Sequence, residues 1–490
     1  MRIIPSSSMA KSLMEFDSKI FNQQVVIRGV SINAQKVVPG DLFIAFAGAN
    51  THGISYLQQA ISNGAVAVLS DKNIEDSIPS FIHPKPREIV GAISAWLYGH
   101  PFKSLKAIGI TGTNGKTTTA NLVKQIWQLN SIKSGLIGTL GVEIADEKLE
   151  SARTTPEADD LQAIAAAMVE QGCKNLAMEV SSHAIDQGRI KGAKYDVVAF
   201  SNLTQDHLDY HLSMENYFQA KANLFASEYA KAAVINIDDS YGMKLSKQVK
   251  IPVVTVSRKD LTADWYLAKA EIKNGMYQVV IKNKSGESLS ENFALLGDYN
   301  LDNLLLAVAI VNSAGLSLDK IAPTISKLQS VPGRLESVNA GQKFTALVDY
   351  AHTPDAVERV IATVKSVTSG KIIGVLGCGG DRDASKRSLM GYALFNGCDL
   401  AVFTSDNPRS ESAEAILNQM TAGIDLGKKG LVEIDRKSAI DLAVKNAQSG
   451  DVVLLMGKGH ESGQEVNSVV TPFDDRIELA ESIRRLARRC

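Results

Sequence analysis

Short apolar runs recur along the chain, and the residues after each run decide how it is read. Leu42-Phe-Ile-Ala-Phe46 and Ala65-Val-Ala-Val-Leu69 are too short for buried helices and apolar on both faces, as sheet-buried strands are. Helical stretches alternate with them up to His100-Pro101, where polar residues mark a break. From Lys106 the order becomes strand, glycine turn, helix. Ala107-Ile-Gly-Ile110 leads into Thr111 to Gly115, and Leu122, Val123, Ile126 and Leu129 then come at helical spacing. Further strands are predicted at Leu176-Ala-Met-Glu-Val180, Val197-Val-Ala-Phe200 and Ala233-Val-Ile-Asn-Ile237, which predicts a parallel sheet. After a second break at Ser330-Val-Pro-Gly-Arg334 the alternation resumes with Ala346-Leu-Val-Asp349, Ile372-Ile-Gly-Val-Leu376, Leu400-Ala-Val-Phe403 and Val452-Val-Leu-Leu-Met456. The pattern predicts three α/β domains in series, at 1–104, 105–330 and 331–490.

Length and composition agree with that division. The 490 residues suit roughly three domains, and 45% hydrophobic with 21% charged residues is a globular balance that excludes disordered and fibrous classes. Lys plus Arg (52) matches Asp plus Glu (53), so no overall field draws in nucleic acid or an anionic membrane, and any anion site must be local. Cys173, Cys378, Cys398 and Cys490 lie far apart with no C-x-x-C pair, which fits a reducing cytoplasm better than a zinc site or disulfide framework. The N-terminus lacks a signal-peptide apolar core, and no stretch reaches the ~18 apolar residues of a membrane span. Arg484, Arg485, Arg488 and Arg489 are read as a solvated last helical turn.

The sharpest chemical signal is Thr111-Gly-Thr-Asn-Gly-Lys-Thr-Thr118, placed between a predicted strand and a predicted helix. Gly112 and Gly115 let backbone N–H groups approach phosphate oxygens, and Thr113, Asn114 and Thr118 of the same loop are candidate ATP contacts with them. Lys116 supplies a cation, and the Thr117 hydroxyl suits Mg²⁺. The loop departs from the usual pattern because Ile110 stands where the first glycine would be. Glu179-Val-Ser-Ser-His183 and Asp206-His-Leu-Asp-Tyr-His211 come after two other strands, and in an open parallel sheet such residues gather at one edge, facing the loop. Carboxylate and imidazole beside a triphosphate suggest Mg²⁺ ligands.

These motifs occur in one order with Asn202 to His211, Ala220-Lys221 to Phe225, Pro332-Gly-Arg334 and Asp349-Tyr-Ala-His-Thr-Pro354, and the series resembles the Mur ligases over essentially the whole chain. The resemblance implies a central P-loop-type ATPase domain, a C-terminal Rossmann-like domain and an ATP-dependent amide ligase acting through an acyl phosphate in peptidoglycan precursor synthesis. It implies two Mg²⁺ ions, one on Thr117 and Glu179, the other on His207 and Lys221 carrying CO₂ as a carbamate. Residues alone would make Lys221 an ordinary exposed helix lysine. Asn303, Arg334 and Asp349 are the implied adenine-side contacts, and the breaks near 104 and 331 the implied hinges for closure of the third domain over ATP.

Asp406-Asn407-Pro408-Arg409 and Gly457-Lys-Gly-His-Glu461 point to the branch of the family that adds the third peptide residue, with UDP-N-acetylmuramoyl-L-alanyl-D-glutamate and meso-diaminopimelate as substrates. Arg409 offers a planar fork for the distal carboxylate that diaminopimelate has and lysine lacks. Arg382 is implied as a second cation, while Gly457 and Glu461 hold the amino end. For the nucleotide-sugar substrate the matching positions are Thr154, Thr155, Ser181, Gln187 and Arg189. Where the family has an Asp-Ser-Arg run, this chain reads Asn33-Ala34-Gln35, so Ile32, Ala34, Ala49, Asn50 and Thr51 are the expected uridine-side contacts. His183, His352 and Glu461 all remain candidates for deprotonating the incoming amine. A tripeptide-recycling ligase, a folylpolyglutamate synthetase, a P-loop kinase or NTPase, and an inactive binding protein are the competing readings. Arg409 disfavours the first two, and a requirement for an amine separates a ligase from an NTPase. Nothing in the sequence demands more than a monomer.

Overall fold

The computed structural model describes residues 2–6, 10–48, 51–145, 147–151, 153–273 and 276–487. Ala49, Asn50, Arg488, Arg489 and Cys490, named above from the sequence, lie outside the described residues. Three larger sheets succeed one another along the chain. The first has four parallel strands, Gly29–Ser31, Asp41–Ala45, Ala65–Ser70 and Ser80–Ile82, in sequential order. The helix Pro86–Leu97 packs Val90, Ile93 and Leu97 against Leu42, Ile44 and Leu69 of that sheet.

The central sheet has eleven strands. Its parallel heart places Lys106–Thr111 between Asn175–Glu179 and Tyr195–Phe200, with Ser134–Gly138, Ala230–Asn236 and Val253–Ser257 outside them. The helix Lys116–Leu129 turns Leu122, Val123, Ile126 and Trp127 into the core beneath it, where they meet Leu304, Leu305 and Val308 of the helix Asp298–Ser313. The expected parallel sheet forms this heart, and antiparallel strands extend it at both edges. Gly141–Ile144 and Glu147–Leu149 extend one edge, and Trp265–Lys273, Met276–Asn283 and Ser288–Phe293 form a meander at the other. The meander covers only one face. Tyr277, Val279 and Ile281 are buried and alternate with exposed or half-buried residues, so these strands lack the continuous apolar runs of the buried parallel ones.

The C-terminal sheet runs Glu336–Ser337, Thr345–Asp349, Val452–Met456, Ile372–Leu376, Leu400–Phe403 and Gly430–Val432, parallel throughout except for the first pair. Its order reverses at Val452–Met456, which puts the loops after four strands into one crevice. Arg436 and Asp475, both wholly buried, form a bidentate pair beneath that crevice, and Arg436 also donates to the carbonyls of Ser405 and Met456. The loops that carry Asp406 and Gly457 are thereby fixed to one guanidinium. Among the described residues no helix is long and apolar enough to cross a membrane.

Candidate active site

The phosphate loop opens the helix Lys116–Leu129, where N–H groups without intrahelical partners and the positive end of the helix dipole favour an anion. Two of its conformations require glycine. Gly112 has φ +148°, and a Cβ there would overlap Ser201 Oγ; Gly115 has φ +86°, and a Cβ would overlap Asn303 Oδ1. The loop is clamped from the neighbouring strand end: Thr113 N donates to Asn202 O (2.8 Å), Asn114 N to Asn202 Oδ1 (3.0 Å), and Ser201 Oγ to Asn114 O (2.6 Å). Lys116 Nζ donates to the Gly112 and Thr113 carbonyls at 3.0 and 2.8 Å. Burial lowers its pKa, with Glu179 and Asp206 opposing.

Glu179 ends the neighbouring strand and turns its carboxylate into the loop. Oε2 accepts from Thr117 Oγ1 (2.9 Å) and Thr139 Oγ1 (3.1 Å), and Oε1 accepts from Thr139 N (2.8 Å). Thr154 Oγ1 lies 3.2 Å from Thr139 Oγ1, Thr155 Oγ1 donates to the Glu179 carbonyl (2.9 Å), and Ser181 Oγ caps the helix Ser182–Asp186 by accepting from Ala184 N. These three therefore surround Glu179.

Lys221 is the largest departure from what residue type alone suggests. It is 1% exposed, its Nζ donates to Gly112 O (2.8 Å), and the amine sits 4.5 Å from the centre of the Tyr217 ring. Burial, reinforced by the Lys116 cation, holds its pKa well below the usual lysine range against the pull of Asp206. His207 packs on the same Tyr217 ring and on His183. Burial depresses its imidazole to about 3, helped by His183, Lys221 and Lys116, while Asp206 opposes. A neutral imidazole, a neutral amine able to add CO₂, and a carboxylate beside a threonine hydroxyl are donors suited to a hard divalent cation. Among the described residues no three His, Cys, Asp or Glu side chains form a ready-made metal cage.

Asp206 joins the central sheet to the C-terminal one. Lys386 Nζ donates to its Oδ1 at 3.0 Å, His352 Nε2 lies 3.7 Å from its Oδ2, and Gln205 Nε2 donates to Ser385 Oγ at 2.9 Å. Burial alone would raise this carboxyl, but His352, Lys386 and His207 outweigh it and hold the group well below the usual carboxylate range. In the sequence Asp206 stands out only as part of a run, and neither Lys386 nor Ser385 stands out at all; a charge at either end of a 180-residue separation leaves no local pattern. A cleft open to solvent lies at the same junction, lined by Asn114, Gly115, Thr118, Asn303, Arg334 and Asp349 among others. Burial raises the pKa of Asp349, with Arg334 opposing, and its oxygens accept from the N–H groups of Leu335 and Ala351.

In the C-terminal crevice Arg409 has φ +54°, and its Nη1 donates to Gly380 O at 2.6 Å while Nε pairs with Glu465 at 3.2 Å. Arg382 lies on the facing loop, its Nη1 donating to Asp381 O (3.0 Å). Buried Asn407 donates to Glu461 Oε2 (2.9 Å) and accepts from Lys458 Nζ (3.0 Å). Lys458, fully buried, also lies 3.1 Å from Glu461 and 3.7 Å from Asp406. Pro408 is buried, and a Cβ on Gly457 would come within 2.7 Å of Asp406 Oδ2. Sequence reasoning misses Lys458 and Glu465, although the first stands inside the Gly457–Glu461 run, three residues from its partner.

A second cleft, about 3100 Å³ and open to solvent, runs between the first and central sheets. Ile32, Ala34, Thr51, Gln187 and Arg189 line it, together with Lys36, Arg87 and Arg153. Asn33 Oδ1 accepts from Gln35 N and so caps the turn Ala34–Lys36 at the cleft wall. Glu157 gathers three of the cations, with Arg189 at 3.0 Å, Arg87 at 3.1 Å and Arg153 at 3.4 Å.

This arrangement has close counterparts. The model of the Mur ligase middle domain matches residues 110–311, that of the Mur ligase glutamate ligase domain residues 333–459, and that of the Mur ligase family catalytic domain residues 26–97. The UDP-N-acetylmuramoyl-L-alanyl-D-glutamate--2,6-diaminopimelate ligase of Streptomyces coelicolor is 45% identical over 471 residues, covering 94% of this chain and 93% of that one. A solved structure titled as the same ligase aligns with TM-score 0.69 and 33% identity over 98% of this chain and 100% of its own. A MurF ligase from Thermotoga maritima in complex with ADP shares the fold at TM-score 0.68, with 18% identity, over 94% of this chain and 98% of its own. With full-length identity at this level and three family domains matched in order, the chain belongs to the Mur ligase family.

Proposed function

We propose that this protein is an ATP-dependent amide ligase that joins meso-2,6-diaminopimelate to the D-glutamate of UDP-N-acetylmuramoyl-L-alanyl-D-glutamate, releasing ADP and phosphate, in cytoplasmic peptidoglycan precursor synthesis. The observation that carries the reading is the docking of the Arg382-bearing loop onto the His207-bearing loop through Lys386–Asp206 and Gln205–Ser385. It sets the crevice holding Arg409 against the edge holding Lys116, where phosphoryl transfer and amine attack can share one space. The Streptomyces coelicolor relative that bears the name of that ligase supports it.

Residues 1–104 then hold the UDP-sugar, 105–330 the ATP and 331–490 the amino acid, in one polypeptide acting as a monomer. The N–H groups that open the helix Lys116–Leu129, with the Lys116 amine, grip the triphosphate, and Asn303, Arg334 and Asp349 line the adenine side. An oxygen of the D-glutamyl carboxylate bonds to the γ-phosphorus as the bond to ADP breaks. The diaminopimelate amine, having lost a proton, attacks the acyl carbon; the tetrahedral adduct expels phosphate and leaves the amide. Both steps build negative charge, which Lys116 is placed to offset. Mg²⁺, held by Thr117 and Glu179 and by His207 with carbamylated Lys221, would neutralise further charge there. Arg409 pairs with the distal carboxylate, with Arg382 nearby. Asn407 and Lys458 hold Glu461 so that it and Gly457 take the amino end, while Asp406 and Pro408 shape the loop. Thr154, Thr155, Ser181, Gln187 and Arg189 line the substrate's path from Glu179 into the large cleft, where Ile32, Ala34 and Thr51 take the uridine end. Hinges near 104 and 331 let the third domain close and exclude water from the acyl phosphate.

Transfer of ¹⁸O tests the route. With substrate labelled in the D-glutamyl carboxylate, one labelled oxygen must appear in the released phosphate; unlabelled phosphate would rule out an acyl phosphate.

A further inference from the structure

Arg409 is held by four contacts that fix more than its position. Its backbone sits at φ +54°, a region that costs a residue with a Cβ some strain. Two main-chain bonds to the hairpin of Gly463–Val466 and Val469–Pro472 hold it there: Arg409 N donates to Glu465 O (3.1 Å) and Asn467 N donates to Arg409 O (2.7 Å). The side chain is held at two points, Nη1 on Gly380 O and Nε on the Glu465 carboxylate. Glu465 is itself anchored, its N–H donating to Asn407 Oδ1 at 3.0 Å. Guanidinium pairs with a carboxylate either through its Nε side or through its Nη1/Nη2 end. Glu465 occupies the first.

We propose that Glu465 is a positioning residue for the amino-acid site: it takes the Nε side of Arg409, leaving the Nη1/Nη2 end as the fork that meets the distal carboxylate of diaminopimelate. This rests on the reading of Arg409 as the partner of that carboxylate. A guanidinium tied at Nε and at one Nη1 hydrogen has already lost most of its rotamer freedom, so little more is lost on binding. Without Glu465 the side chain must be ordered by the substrate itself. The cost falls on capture of diaminopimelate and leaves ATP and the bond-making steps alone.

The test is steady-state kinetics of Glu465→Ala, Glu465→Gln, Arg409→Ala and the double alanine variant, with diaminopimelate and ATP varied separately. Glu465→Ala should raise KM for diaminopimelate about tenfold, with kcat and KM for ATP unchanged. Glu465→Gln, whose amide oxygen can take the carboxylate's place beside Nε, should stay near wild type. Arg409→Ala should raise KM further, and the double variant should be no worse than Arg409→Ala, because the two residues act as one unit. An unchanged KM in Glu465→Ala beside a raised KM in Arg409→Ala overturns the positioning role and leaves Arg409 standing. Equal losses in kcat and in KM for ATP, or additive losses in the double variant, also overturn it. An unchanged KM in Arg409→Ala removes the reading of Arg409, and the proposal falls with it.

Discussion

Replacing Lys221 separates a structural lysine from a carbamate. The side chain is 1% exposed and its amine has one hydrogen-bond acceptor, Gly112 O, with the cation of half-buried Lys116 nearby. An ammonium there is poorly compensated, so burial favours the neutral amine, which can take up CO₂ and release a proton to become an anionic metal ligand. Lys221→Met keeps the buried stem and removes the nitrogen, so the fold should survive with stability near wild type or above it. Activity should not survive. Loss of one group that stabilises transition-state charge typically lowers kcat on the order of 10²- to 10³-fold, about 3 to 4 kcal/mol. Lys221→Ala should be equally inactive, and it leaves a cavity beside His207 and Tyr217 that a small carboxylate can enter. The assay is phosphate release with all substrates, with and without added formate or acetate. Lys221→Ala should regain activity with the added acid, and Lys221→Met, whose cavity is filled, should not. Wild-type kcat in Lys221→Met, or full activity in Lys221→Arg with its permanent cation, would refute the argument.

Other parts of the structure give three further expected outcomes. Gly115→Ala forces φ +86° on a residue with a Cβ that overlaps Asn303 Oδ1, so it should cost about 1 to 2 kcal/mol and raise KM for ATP more than KM for diaminopimelate; equal effects on both would contradict this role for the turn. Lys386→Met leaves Asp206 buried without its nearest cation, which should lower stability by about 3 kcal/mol or more and enlarge the radius of gyration; an unchanged melting profile and scattering curve would show that the pair does not hold the two sheets together. Asp159, buried with one oxygen accepting from Ile32 N and the other without a partner, has its pKa raised to about 7 by burial, with Asp160 and Glu157 adding to it. A folded-state pKa above the unfolded value near 3.8 gives stability that is complete below 3.8 and lost as pH rises through 7. Asp159→Asn should therefore melt higher than wild type at pH 8 with the difference shrinking toward pH 4, and a constant difference would refute the assignment.

The parallel strands are legible in the sequence because burial on both faces demands apolar residues at consecutive positions, as in Ile372 to Leu376 and Val452 to Met456. The meander at 265–293 is not, although Tyr277, Val279 and Ile281 alternate correctly, because one buried face leaves a weaker signal than two. At the site, residues gathered by a local motif stand out in sequence, as at Thr111 to Thr118. Those whose meaning depends on a distant partner do not. Lys221 shows no pattern of burial until Tyr217 and Gly112 are seen around it, and Glu465 acquires a role only because a hairpin brings it to Arg409. Asn33-Ala34-Gln35 shows a third case, in which the departure from the family's run is plain but its consequence is not: the segment still forms a capped turn on the cleft wall.

The central claim is tested most directly by phosphate release from purified protein given ATP, Mg²⁺ and UDP-N-acetylmuramoyl-L-alanyl-D-glutamate, with meso-diaminopimelate, L-lysine or no amine. Release with diaminopimelate, and little with the other two, is the predicted result. Turnover with lysine equal to that with diaminopimelate would contradict the role given to Arg409, and equal release without any amine would contradict the ligase itself.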